Sequence, residues 1–353
     1  MTAIVAITKH GIEIARNIKN KMPETEIYVP AKHSDSNNDI HWFTEQTADI
    51  VSYLFKRHDA LICIFSLGAV IRLIAPLIVS KKSDPAVLVI DDKANFVISA
   101  LSGHLGGANS LARLVASFLP KSTAVITTAA DVNETVAVDL LGKQFAWAIE
   151  NYENVTKVSA LMVNEEKIGL YQDTGEKNWW PRQTLPQNVV PVINIEDLKS
   201  PYFRGALIIS DKIITDPVIL DKCVIYRPKS LVLGLGLHWN TSKDTIEAAI
   251  QSLLRNHGLS LKCIRNISSI NREEKLRGLE EFSEKYDIPV EVYDKDTLAK
   301  VEVPNPSEIV QKFEGTPSIS EASSILSSKG SLIVPKQKFP PDLTAAIARI
   351  KFN

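Results

Sequence analysis

Cysteine is scarce in this chain: Cys63, Cys223 and Cys263 are the only three in 353 residues. An odd count with no Cys-x-x-Cys pair argues against a disulfide framework and against a thiolate zinc site. Cys63, inside Leu61-Ile62-Cys63-Ile64-Phe65, has the surroundings of a small core residue. Excess charge is lacking too. With 40 basic and 41 acidic residues the formal charge is −1, so no global field draws nucleic acid and any anion site has to be local. The longest apolar run, Ala60 to Ile71, is too short to cross a bilayer and ends at Arg72. Neither Gly-x-Gly-x-x-Gly nor a Walker lysine loop occurs, which weighs against nucleotide binding. Gly-x-Ser-x-Gly and His-Glu-x-x-His are absent as well, so neither a serine nucleophile elbow nor a zinc-protease helix is indicated. The start, Met1 to Ile7, has strand character and lacks the charged opening and apolar stretch of a signal peptide. A cytoplasmic, reducing setting without a membrane partner is the expectation.

What is present fits a soluble α/β protein of two or three domains: 45% of residues are hydrophobic and 23% charged, enough apolar material for real cores. Strands and helices alternate up to about Thr128. Ile4–Ile7, Leu61–Phe65, Ala86–Ile90, Phe96–Ala100 and Ala124–Thr128 have strand character; Ile12–Ile18, Thr44–Arg57 and Asn109–Phe118 have helical spacing. Asp91 to Asn95 has hairpin-turn composition. The alternation predicts a largely parallel sheet over residues 1–128. Residues 129–228, with a predicted helix near Val136 to Tyr152 and prolines at 181, 186, 191 and 201, look like a small, loop-rich middle domain. Residues 229–353 form a separate α/β domain opened by Leu231-Val232-Leu233-Gly234-Leu235-Gly236. A helix follows, with apolar face Ile246, Ala249, Ile250 and Leu253. Further helices are expected at Glu273–Tyr286, Ser307–Phe313 and Ser318–Ser328.

Four stretches can carry chemistry. Ser102-Gly103-His104-Leu105-Gly106-Gly107-Ala108-Asn109 follows a strand and opens a helix. Gly103, Gly106 and Gly107 allow close backbone approach, helix-start amides favour anions, and His104 can donate a proton or act as a base near neutral pH. A plain strand–helix turn, with His104 in a structural hydrogen bond, accounts for the pattern equally well. Arg72, Lys81, Lys82, Asp84 and Asp91 form a second group: Arg72 ends an expected strand–loop unit, Ser66 to Ile71, and Lys82 offers a point charge. A solvated loop is the alternative, and it suits Lys81 better than Arg72. The third is Gly234-Leu235-Gly236-Leu237-His238-Trp239, where a packed turn with Trp239 as a core cap outweighs a flat-ligand wall. In the fourth, Val334-Pro335-Lys336-Gln337-Lys338, a strand delivers two lysines to its end, as an anion contact or simply a basic edge. His33, His41, His58 and His257 lack ligand spacing and have the surroundings of surface residues.

Taken together, three blocks resemble the cobalt-precorrin-5A hydrolase family of cobalamin biosynthesis: Ser66 to Leu77, Lys82-Ser83-Asp84-Pro85-Ala86-Val87, and Leu101 to Asn109. Val125 to Val132 with Ala137-Val138-Asp139, Pro304 to Glu308, Gly315 to Ser318, Glu321-Ala322 and Val334-Pro335-Lys336 extend the likeness over nearly the whole chain. The resemblance implies hydrolysis of the δ-lactone of a cobalt-bearing tetrapyrrole with release of acetaldehyde. It implies no cofactor and no metal site in the protein, because cobalt comes with the substrate. It also implies a cleft between the N- and C-terminal domains. His104 and Asp84 are then the catalytic candidates. Arg72, Lys82, Ser102, Gly103, Gly106, Gly107, Asn109, Gly236 and Lys336 are the candidate substrate contacts. Neighbouring pathway enzymes or a second copy of the chain are the expected protein partners. The competing readings are a non-catalytic tetrapyrrole carrier and an unrelated phosphate- or nucleotide-binding α/β protein.

Overall fold

The computed structural model describes residues 1–35, 39–80, 83–104, 106–128, 135–272, 274, 276–341 and 343–352. The chain divides into two compact units, Met1–Leu140 and Leu141–Asn353.

The first unit runs β1 (Thr2–Ala6), α1 (Lys9–Lys21), β2 (Glu26–Pro30), β3 (Ile40–Phe43), α2 (Thr47–Phe55), β4 (Ala60–Ile64), α3 (Leu67–Ile74), β5 (Ala86–Ile90), β6 (Phe96–Leu101), α4 (Ala108–Phe118) and β7 (Thr123–Val125). These strands form one sheet in the order β3-β2-β1-β4-β5-β6-β7. β4 and β5 are buried at every position, because helices cover both faces of the sheet. Ile12, Ala15 and Ile18 of α1 share one core with Ala112 and Val115 of α4; Val51, Leu54, Phe55, Val70 and Ile74 of α2 and α3 fill the other. The expected strand–loop unit at Ser66–Ile71 is corrected: the segment is the helix α3. Val70 and Ile74, four residues apart, face the sheet, and Arg72 lies on the exposed side.

All strand pairs in this sheet are parallel except one. β5 and β6 are antiparallel, with Ile90 opposite Val97. The turn between them is closed by the Asp91 carboxylate, which accepts the Phe96 N–H at 2.7 Å, the Lys93 N–H at 3.3 Å and the Asn95 side-chain amide at 3.0 Å. Burial pushes the Asp91 pKa up, but these donors outweigh it and hold the group below the ordinary aspartate value. Asp91 is therefore a turn brace, not part of a cation cluster.

The second unit holds two five-stranded sheets. Its first part contains β8 (Ala148–Ile149), α5 (Val155–Val163), β9 (Ile168–Gln172), β10 (Val189–Val192), β11 (Gly205–Ile209), α6 (Pro217–Lys222) and β12 (Cys223–Arg227), in sheet order β10-β9-β11-β12-β8. The helix expected at Val136–Tyr152 is not there. Gly142 and Ala146 take left-handed backbone angles, φ 75° and 57°, which end any helical run, and the helix begins only at Val155.

The last part contains β13 (Leu231–Leu237), α7 (Lys243–Asn256), β14 (Ile264–Ile270), α8 (Arg277–Tyr286), β15 (Val290–Tyr293), α9 (Lys295–Ala299), α10 (Glu308–Glu314), α11 (Ile319–Ser328), β16 (Ser331–Phe339) and β17 (Leu343–Arg349), in sheet order β15-β14-β13-β17-β16. α7 buries the face its spacing predicts, and Ser242 caps it by accepting the Thr245 N–H at 3.2 Å. α11 is buried along most of its length. Its serines keep it slim enough to lie on the sheet, and the Ser323 hydroxyl reaches the Ser268 carbonyl at 3.1 Å.

The two sheets of this unit are tied by charge. Asp211, just past β11, is fully buried and receives a two-point contact from Arg349 at the end of β17, at 2.8 and 2.7 Å, plus the Ser230 hydroxyl at 3.0 Å. Backbone bonds Ser260 N–H to Asp211 carbonyl (2.8 Å) and Ile213 N–H to Gly258 carbonyl (2.7 Å) flank it. Replacing Asp211 by alanine takes the buried acceptor from the Arg349 guanidinium and the Ser230 hydroxyl. D211A is expected to lower stability by about 3 kcal/mol, read as a drop in the urea midpoint against wild type. An unchanged midpoint would show that the junction does not depend on this pair.

Candidate active site

The hairpin at Asp91–Asn95 decides where the glycine loop lies. Because β6 runs against β5, the loop after β6 emerges where β5 begins. The Ser102 hydroxyl donates to the Asp84 carbonyl, 3.0 Å away, just ahead of β5. The loop thus stands at the carboxyl ends of β6 and β7, which are parallel to each other, and at the amino ends of β4 and β5. The usual ligand edge of a parallel sheet, at the carboxyl ends of its main strands, is the opposite one.

The loop is a closed structure. Ser102 sits at φ 53°, a left-handed conformation that costs an L-residue roughly 1–2 kcal/mol. Its carbonyl accepts the Ala108 N–H at 3.2 Å, the Gly103 carbonyl accepts the Asn109 N–H at 2.9 Å, and the His104 carbonyl accepts the Gly107 N–H at 3.2 Å. The amides of Gly107, Ala108 and Asn109 therefore serve the loop, which corrects the expectation that they are open to an anion. Asn109 is 3% exposed. Its side-chain carbonyl accepts the Ser99 hydroxyl at 2.7 Å and its amide donates to Thr128 at 2.9 Å. It braces the loop against β6 and the segment after β7.

His104 is the group this scaffold presents. Its Nδ1 lies 3.0 Å from Oδ1 of Asp139, and the two side chains are 21% and 15% exposed. A carboxylate only accepts, so Nδ1 carries the proton in this pair. That is the arrangement of a positioned general base, whose imidazolium the carboxylate stabilises. Asp139 was visible to sequence reading only as part of a family block; nothing in its neighbourhood announces a partner 35 positions away in the chain.

The other expected site residues fall differently. Asp84 does not orient His104: its carboxylate accepts the Val79 N–H at 3.1 Å and the Ser80 N–H at 3.0 Å and closes its own loop. Arg72 donates to the Gly68 carbonyl at 3.0 Å, one turn back on its own helix, and is exposed. Lys82, like Lys81, lies outside the described residues. His58, expected at the surface, has a ring only 6% exposed and 3.1 Å from Glu26. In the second unit, Gly236 and Lys336 line one cavity of about 560 Å³ together with Trp239. Trp239 is 49% exposed and not a core cap.

Comparison with known proteins covers most of the chain. The family model Cobalamin synthesis G N-terminal matches residues 49–131, Cobalamin biosynthesis central region residues 136–228, and Cobalamin synthesis G C-terminus residues 231–348. A cobalt-precorrin-5A hydrolase of Priestia megaterium is 38% identical over 357 residues, covering 99% of this chain and 95% of that protein. A second, from Salmonella typhimurium, is 29% identical over 94% of this chain and 93% of its own length. The crystal structure of a cobalamin biosynthesis protein G homolog from Sulfolobus solfataricus aligns over 99% of this chain and 97% of that one, with 20% identity and a TM-score of 0.38.

The loop's geometry separates two neighbouring glycines. A Cβ on Gly106 would come within 2.5 Å of the Ser102 Cβ and 2.9 Å of its carbonyl, whereas one on Gly107 meets nothing within 4 Å and suffers only from its φ of 85°. G106A is expected to lower the melting temperature more than G107A, the latter costing about 1 kcal/mol. Equal losses in thermal unfolding would contradict this reading of the loop.

Proposed function

The chain belongs to the cobalamin synthesis G family, and from that membership we propose that it hydrolyses cobalt-precorrin-5A. The observation that carries the reading is the 38% identity to a protein of that activity, sustained over 99% of this chain. Water adds to the carbonyl of the substrate's δ-lactone and the acyl carbon–oxygen bond breaks, leaving a carboxylate. The released alkoxide collapses to acetaldehyde as its carbon–carbon bond to the macrocycle breaks, and the electron pair and a proton go to the ring. His104 is the catalytic residue: Nε2 takes the proton of the attacking water and returns it to the ring carbon that acetaldehyde leaves. Asp139 is a positioning residue that fixes the imidazole and compensates its charge. Ser102, Gly103, Gly106, Gly107 and Asn109 hold the loop in shape around it. Arg72, Lys82 and Lys336 are the proposed contacts to substrate carboxylates.

Cobalt enters as part of the substrate, and the protein supplies no cofactor of its own to the reaction. No helix among the described residues is long and apolar enough to cross a membrane. The cytoplasm is the proposed place of action, with neighbouring pathway enzymes or a second copy of the chain as protein partners.

Anaerobic incubation with cobalt-precorrin-5A, scoring acetaldehyde and the lactone-opened product, tests the reading. H104A is expected to reduce acetaldehyde release by roughly 10²–10⁴-fold with substrate still bound. D139N is expected to lower kcat while leaving KM near wild type. Full activity in H104A would remove it from the chemistry, and a wild-type chain that binds the intermediate but yields no acetaldehyde would make it a carrier.

A further inference from the structure

The cavity of about 560 Å³ in the second unit opens where β13 ends, the carboxyl edge at which open α/β sheets take their ligands. Its volume falls in the range of small-molecule sites. Its walls combine two unlike surfaces. On one side are large apolar groups left in water: Trp239 is 49% exposed, Ile309 71% and Phe313 77%. Ile309 and Phe313 stand four apart on α10, a helix with no buried residue at all. Val310 of this helix packs against the core, but Ile309 and Phe313 do not share that cover, and an exposed apolar patch of this kind marks an interaction site.

On the other side are cations. Among the described residues lining the cavity, Arg272, Lys336 and Lys338 face a single carboxylate, Glu314. Arg272 already holds that carboxylate at 2.8 Å, donates to the Leu237 carbonyl at 3.3 Å, and lies over the Trp239 ring with its guanidinium carbon 4.8 Å from the centroid. It is thereby fixed, and it stiffens Trp239. Lys336 donates to the Asn305 carbonyl, a neutral partner, so its charge is not cancelled there. Burial pushes its pKa below the ordinary lysine value; the Glu321 charge opposes this and the Lys338 charge adds to it. The Glu321 carboxylate is itself occupied by the Asn305 N–H at 3.2 Å, the Asn305 side-chain amide at 2.9 Å and the Lys336 N–H at 2.9 Å. The wall is thus held firmly, and its cations Arg272, Lys336 and Lys338 outnumber the carboxylates beside them, Glu314 and Glu321.

We infer that this cavity binds a broad, flat, multiply carboxylated ring compound, its face against Trp239 and Phe313 and its carboxylates at Lys336 and Lys338. The choice of ligand rests on the hydrolase reading above; the apolar face and the cations stand without it. A nucleotide also joins a flat ring to negative charge, and the test includes it.

The full-length chain is titrated with uroporphyrin III, an octacarboxylate macrocycle, following porphyrin absorbance, with ATP as competitor. Wild type is compared with W239L and with the double variant K336Q/K338Q, each verified as folded by its melting curve. The same three proteins are assayed for acetaldehyde release from cobalt-precorrin-5A. Each variant is expected to bind uroporphyrin at least roughly tenfold more weakly, the loss of one good contact, and to show a KM raised in proportion with kcat within about twofold. ATP is expected not to displace the porphyrin. Wild-type affinity in both variants, or displacement by ATP at comparable concentration, overturns the inference. Acetaldehyde release with wild-type KM in both variants also overturns it while leaving the hydrolase reading intact. Weakened porphyrin binding in the variants of a chain that releases no acetaldehyde at all supports the site and sinks the hydrolase reading.

Discussion

The Asp91 carboxylate governs the layout of the first unit. By accepting from Phe96, Lys93 and Asn95 it closes a tight turn, and the strand that leaves the turn must run backward. A parallel crossover at that point would send the glycine loop to the same edge as the ends of β1 and β4. The reversal sends it to the other edge, against the Asp84 carbonyl, where Asn109 and Thr128 brace it. The one histidine in that loop then meets a carboxylate from the segment that leaves the sheet. A doubly wound sheet with a single reversed hairpin thus acquires a second working edge, and Asp84, Ser102, His104, Asn109, Thr128 and Asp139, all from family blocks in this half of the chain, converge there.

The second unit solves a different problem. Two sheets with separate cores have to stay in register, and apolar packing alone gives little directional control. Here the junction uses charge where burial makes it specific. Asp211 is fully buried and matched at two points by Arg349 across the junction, while Arg227, also fully buried, donates to Glu150 and to the Ser210 and Lys212 carbonyls within the first sheet's side of it. Such groups cost desolvation and return less in net stability than their short distances suggest. What they provide is intolerance of misalignment, since a shift of either sheet leaves a charge stranded.

Much of the fold was legible in sequence because its signals are local. The helix over Asn109–Phe118 and the buried face of α7 follow from 3.6-residue spacing, and the hairpin from the run Asp91 to Asn95. Errors arose where local pattern and tertiary demand parted. Ser66–Ile71 is apolar enough to pass for a strand–loop unit, yet it belongs to a helix that buries Val70 and Ile74 and packs Ala69 and Leu73 against the same core. Val136–Tyr152 carries apolar residues at near-helical intervals, but Val136, Val138, Leu141 and Trp147 are buried by a loop that bends at Gly142. In the site, His104 stood out by its glycine company, whereas its partner did not. A carboxylate's neighbours in sequence say nothing about which imidazole it will meet, and Asp84 was the nearer guess for that reason alone. Tryptophan's bulk and apolarity suggest a core place for Trp239; it is half exposed instead, with Arg272 over its ring, a contact between β-strand ends that no spacing rule anticipates.

The three cysteines, set aside at the outset as too few for a disulfide framework, have a last bearing on the chemistry. All three are buried, and burial holds their thiols above the ordinary cysteine value, Cys223 at about 11 and Cys263 at about 12. The product of the proposed reaction is an aldehyde, and aldehydes add readily to exposed thiolates. A catalyst that generates such an electrophile at every turnover gains from keeping its sulfur protonated and out of reach, so that the molecule it releases finds no thiolate on the surface that released it.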